Sequence, residues 1–144
     1  MERYMHDVKT LGQDLKAWVR SNHMLHDAII SEMAFSDVVN KTEMSPFDGV
    51  FKIGLKIPRN ISSSNYVSAL LSLNGVLMMR LDVMFMSCPL YILRAGVSVE
   101  TLPNLCEHEI LRLKIFGEEC VEMKWVEKML IDIAFVSYDR SILG

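Results

Sequence analysis

His23 and His26 are the closest pair of histidines in the chain, and Asp27 adjoins them. On a helix, positions i and i+3 share a face, so both imidazoles could reach one metal ion. The pair lacks the glutamate of an HExxH zinc site and an evident third ligand. The other reading is two solvated histidines at a helix end. Glu107-His108-Glu109 sets a histidine between acids. Neighbours on a strand point to opposite faces, which suits a solvated rim rather than an acid–base pair. Cys106 lies close to His108 and could be an activated thiol, but no glycine-rich elbow or orienting group accompanies it. No Walker loop, GxGxxG or GxSxG occurs. These residues predict no catalytic site, no metal and no cofactor, hence a protein that is not an enzyme.

Charge and composition narrow the partners. The net charge is −3, so no global positive field draws the chain onto nucleic acid. Contact with a polyanion or a membrane must use a local patch. Cys88, Cys106 and Cys120 show no CxxC spacing and no signal peptide is apparent, which reads as buried thiols in a reducing compartment. The longest uncharged run, Ile61 to Met79, is interrupted by serines, Asn65, Asn74 and Gly75. A membrane-spanning helix needs about 20 predominantly apolar residues. The chain has eleven methionines. Methionine fills irregular cores and is also overused at partner-binding surfaces.

The elements that would carry these residues follow from periodicity. Tyr4, Val8, Leu11, Leu15, Trp18 and Val19 mark one face of an N-terminal helix ending near Ser21 and Asn22. A short helix is expected over Asp27–Phe35, then a polar connection over Ser36–Pro46. Phe51, Ile53, Leu55 and Ile57 alternate with Lys52, Gly54 and Lys56, the mark of a half-buried strand. Ser62 to Asn65 offer N-caps, and Val67, Leu70, Leu71, Leu77, Met78 and Leu81 follow helical spacing. Strands are expected from Pro89, at Leu111–Ile115, at Val121–Trp125 after a turn at Gly117–Glu119, and at Met129–Phe135. The last is apolar on both faces, so it should be central or covered twice. Helices first, then strand, helix and strands, predict one α+β domain over 1–144. Its helical N-terminal part would cover 1–46 and its strand-helix-strands core 47–144, with helices on one face of a mostly antiparallel sheet.

Lys52, Lys56 and Arg59 on one strand, with Arg112 and Lys114 on another, would form a locally basic outer face if those strands were neighbours. The alternative is lysines that keep a sheet soluble.

FKIGLKIPRNISSSNYVSALLSL followed by CPLYILRAG resembles the core of rhabdovirus matrix proteins, in the plant-infecting cytorhabdovirus-like branch. The resemblance is one of pattern, over about Val50 to Asp139. It implies a strand, Phe51–Ile57, leading through a serine-containing loop into a helix, Tyr66–Leu81. The chain has no PPxY or PTAP-like late-budding motif. The resemblance implies a structural virion protein that self-associates, condenses a viral nucleoprotein–RNA complex and links it to a membrane surface or an envelope glycoprotein tail. It implies no specific nucleic-acid sequence, and it places the protein in the virion and the host cytoplasm. Tyr4, Leu11, Leu15 and Trp18 are then expected either as a self-association segment, received by Met78, Met79, Met84 and Met86, or as a helix that folds back on its own sheet. The alternatives are a soluble module that binds a host factor and, behind it, a small metal-dependent enzyme using His23, His26 and Asp27.

Overall fold

Strand follows strand for most of this chain, because β-branched and aromatic residues recur at alternate positions. The computed structural model describes residues 2–36, 49–59, 65–83, 90–102 and 106–142. Helix α1 spans Glu2–Ser21. The strands are β1 (Ile29–Ser36), β2 (Val50–Pro58), β3 (Tyr66–Asn74), β4 (Met78–Leu81), β5 (Leu90–Leu102), β6 (Cys106–Val121), β7 (Lys124–Phe135) and β8 (Ser137–Ile142).

The strands form one sheet in the order β4-β7-β6-β5-β1-β2-β3-β8, and every pairing is antiparallel. Its two ends are made of the same two stretches of chain. β3 runs on into β4, and β7 runs on into β8. The ladder between these stretches continues across the corner, where Val136 N–H donates to Asn74 O at 3.0 Å and Leu77 N–H donates to Ala134 O at 2.8 Å. Gly75, at φ 67°, takes the bend in a conformation that suits glycine. The sheet therefore closes on itself as a barrel, which removes open edges from its body. The narrowest seam is β1 against β5, with two residue pairs, Ile29↔Tyr91 and Ile30↔Leu90. Asp27 N–H to Ile92 O and Ile92 N–H to Ala28 O, each 2.9 Å, extend that seam.

Alternate residues fill the barrel: Phe51, Ile53, Leu55 and Ile57 from β2, Ala69, Leu71 and Leu73 from β3, Leu111, Leu113 and Ile115 from β6, Ile131, Ile133 and Phe135 from β7. α1 adds Val8, Leu15 and Val19 to the same cluster. Gly12 lets the helix come down onto β5 and β6, since a Cβ there would lie 2.6 Å from Val99 Cγ2 and 3.0 Å from Leu111 Cδ2. Its cost in helix propensity accompanies a close approach that alanine would block.

This architecture corrects the expected α+β fold: the described residues hold one α-helix and a closed antiparallel sheet. Tyr66–Leu81, expected as a helix, is strand β3, a glycine corner and strand β4. Ser68 and Ser72 explain the misreading. Four residues apart, they share a helix face, and they also share one side of a strand. Their leucine, alanine and methionine neighbours favour helix in isolation. All of β3 instead pairs with β2, from Val50↔Asn74 to Pro58↔Tyr66. Asp27–Phe35, also expected as helix, is largely β1, where β-branched Ile29 and Ile30 lead the strand. The turn expected at Gly117–Glu119 lies later, at Glu122–Met123, since Val121 pairs with Lys124. Gly117 stays in the strand because Leu130 packs over it, with Cδ1 2.6 Å from where a Cβ would stand. Gly96 does not interrupt β5. Most of the expected Ser36–Pro46 connection lies outside the described residues.

Candidate functional site

His23 and His26 sit after α1 in a tight turn, not on a helix face. His23, Met24, Leu25 and Asp27 all have positive φ, between 55° and 66°. Such left-handed runs are costly for residues with a Cβ. Leu25 is fully buried beneath the turn. His26 Nδ1 donates to Leu93 O at 2.8 Å, and its Nε2 lies 3.6 Å from Asp27 Oδ2. Among the described residues no three His, Cys, Asp or Glu side chains gather as a metal site. The side chains of Cys106, Glu107 and His108 lie outside the described residues. Glu109 pairs with Lys9 across the helix–barrel contact at 3.8 Å.

The basic residues do not form one surface. β2 and β6 stand on opposite sides of the closed barrel, separated by β1 and β5 one way and by β3 and β7 the other. Lys52, Lys56 and Arg59 are exposed near one another on β2 and its end. Glu32 crosses Gly54 between the two lysines, since a Cβ there would meet its Cγ at 2.5 Å. Arg112 is not a free cation at all. Its Nε and Nη2 donate to both oxygens of Asp132 at 2.8 and 2.7 Å, and its Nη1 donates to Glu100 at 3.1 Å. This fork on a carboxylate is the geometry guanidinium suits best. Asp132 is 5% exposed, and Arg112's hydrogen bonds hold its carboxyl below the usual range. Glu100 is lowered too, first by the Ser98 hydroxyl and then by Arg112. The network shields a charge on β7, whose residues from Leu130 to Phe135 are buried on both faces. Lys114 lies beside it, register-paired with Asp132.

The expected self-association segment packs on its own barrel. Leu15 is fully buried, and Leu11 and Trp18 are half-buried against the core. Tyr138 donates its hydroxyl to Asp14, and Arg140 stacks on Trp18 with its guanidinium carbon 5.4 Å from the ring centre. Burial and the Asp14 carboxylate raise the Tyr138 phenol above its ordinary pKa. The side chain of Tyr4 lies outside the described residues. Met78 is half-buried and Met79 exposed on β4; Met84 and Met86 lie outside the described residues.

A different surface stands out. Past the last β5 partner, Ile92↔Gly117, β6 and β7 continue together as a two-stranded ribbon to the Glu122–Met123 turn. Both turn residues have positive φ, 52° and 66°, as a two-residue hairpin loop requires. The ribbon carries large apolar side chains in water: Met123 is 95% exposed, Trp125 69%, Val126 49% and Val121 46%. Trp125 shares a face with Glu127; Val121 and Val126 share the other with Lys124. Both faces of the tip are thus partly apolar. Val121, Met123 and Trp125 were expected in a strand, and their alternation looks alike on a barrel wall and on a projecting ribbon. The density of charge at Glu118, Glu119, Glu122, Lys124, Glu127 and Lys128 was the signal that the segment leaves the core.

Comparisons with protein-family models, with curated proteins and with solved structures find no match.

Proposed function

We propose that this chain is a non-enzymatic structural protein that works by associating with copies of itself, in the manner of a viral matrix protein. The observation that carries this reading is the projecting ribbon with Val121, Met123, Trp125 and Val126 in solvent. Clustered apolar exposure at a projecting tip marks a surface that gains by being covered. The earlier resemblance supplies little of the support, because its strand-to-helix step falls on β3 and β4. In the matrix role, weak contacts would be multiplied across an assembly, so that avidity replaces one tight site. The Lys52, Lys56 and Arg59 corner is the surface of suitable sign for a viral nucleoprotein–RNA complex. A membrane surface or a glycoprotein tail would be the other partner, in the virion and during assembly in the host cytoplasm. Among the described residues no helix is long and apolar enough to cross a membrane.

Sedimentation velocity over a wide range of protein and salt concentration tests this reading. The average mass should climb above the 16.5 kDa of one chain as concentration rises. A chain that stays at 16.5 kDa throughout would overturn self-association and favour a module that binds a single host factor.

A further inference from the structure

We infer that single-stranded RNA lies along the outer face of the β2–β3 hairpin, held by its phosphates and bound without regard to sequence. The inference rests on the assignment of the Lys52, Lys56 and Arg59 corner under the proposed function, and names the ligand and the side chains that meet it. From Val50 to Leu81 the chain has four cations and no carboxylate, although the whole carries a net charge of −3. Lys52, Lys56 and Arg59 are exposed. Among the described residues none of the three stands in an ion pair.

The neighbours of these cations decide the ligand. Lys52 and Lys56 project from the same face of β2, about 13 Å apart along the strand. Directly opposed residues of an antiparallel pair share a face. Lys52 is opposite Ser72, Lys56 opposite Ser68 and Pro58 opposite Tyr66, so two hydroxyls and an aromatic ring stand on the lysines' face. Arg59 N–H donates to Asn65 O at 3.0 Å, which keeps Arg59 at the Tyr66 end of the ladder. Lysine, arginine and serine are side chains that meet phosphate oxygens along a nucleic-acid backbone. Tyr66, 37% exposed, offers a ring on which a base can stack. A duplex keeps its bases stacked on one another, whereas a single strand can splay one onto Tyr66. The cations follow one strand of a curved wall in a row, which matches a chain of phosphates rather than the plane of a bilayer. Glu32, crossing Gly54 between the two lysines, opposes the ligand. Its carboxylate keeps each contact weak, as suits many copies along one RNA strand.

The test is the fluorescence anisotropy of a labelled oligouridylate titrated with the full chain at several salt concentrations. Each phosphate neutralised on a single strand contributes about −0.7 to the slope of log affinity against log salt, so three cations give a slope of about −2. Lys52→Gln, Lys56→Gln and Arg59→Gln together should weaken binding by about tenfold or more and flatten that slope. Tyr66→Leu should weaken it by about fivefold or more at an unchanged slope. Glu32→Gln should tighten it, a gain that no folding defect imitates. Lys16→Gln, on exposed α1 surface, should leave it unchanged. Circular dichroism melts establish that each variant still unfolds cooperatively. A natural chain that does not bind the oligonucleotide at low salt would overturn the inference, as would a loss on Lys16→Gln equal to that of the triple variant. A chain that ignores the oligonucleotide yet sediments with phosphatidylserine vesicles through the same three cations would assign the face to lipid and overturn it too. Sedimentation of the chain alone reads self-association separately: a chain that assembles without affinity for RNA overturns this site only, and one that binds RNA as a lasting monomer overturns self-association only.

Discussion

Asp132 is buried on the outer side of β7, and its charge is tolerable there because the Arg112 guanidinium grips both carboxylate oxygens. Breaking such a pair leaves one charge without compensation. Arg112→Ala should therefore cost on the order of 3–5 kcal/mol, read as a lowered urea midpoint. Replacing Arg112 by Met and Asp132 by Leu together should cost much less, since no charge is then stranded. The sign of the pH dependence follows from the same groups. Asp132 and Glu100 have lowered folded-state pKa values, so their contribution is present above the ordinary carboxylate value near 4 and is lost as pH falls through the folded values. Tyr138 is raised, so its contribution is present below the ordinary phenol value near 10 and is lost as pH climbs beyond it. Urea midpoints across pH should form a plateau from about pH 5 to 9, falling on both sides. Residue identity made Lys52, Lys56 and Arg59 legible as surface cations. Arg112 was not legible, because its partners lie on β5 and β7, 12 and 20 positions away in sequence.

Helix α1 binds the barrel by both means available to it. Its apolar face buries Val8, Leu15 and Val19, and its polar side reaches Tyr138, Arg140 and Glu109 through Asp14, Trp18 and Lys9. Deleting Met1–Arg20 would uncover that part of the core. The truncated chain should lose its cooperative thermal transition and aggregate. A soluble truncated domain that unfolds cooperatively would show that the barrel stands without its helix. The helix itself was legible because seven-residue apolar recurrence admits one period. β2 was legible because lysine and glycine alternate cleanly with Phe51, Ile53, Leu55 and Ile57. β3 was not, because serines four apart satisfy both the helical and the extended period. Only pairing with β2, a non-local contact, selects between them.

At the scale of the whole molecule, closure explains what the surface offers. A barrel closed by β3–β4 against β7–β8 hides its edges and its core. It also sends β2 and β6 to opposite sides, so the five candidate cations cannot act as one patch. That arrangement was invisible in the sequence, since it depends on β3–β4 meeting β7–β8 across long stretches of intervening chain. Among the described residues, the β6–β7 ribbon projects beyond the barrel, and its exposed tryptophan reports directly on whether the ribbon is covered. The chain has two tryptophans, and Trp18 lies on the helix away from the ribbon. In a Trp18→Phe background, the emission of Trp125 can be followed as protein concentration rises. Self-association through the ribbon requires water-exposed, red-shifted emission at the lowest concentrations and a progressive blue shift, with falling iodide quenching, as copies assemble. Emission that stays red-shifted and fully quenchable while sedimentation shows assembly, or that never changes in a chain that remains monomeric, would contradict it.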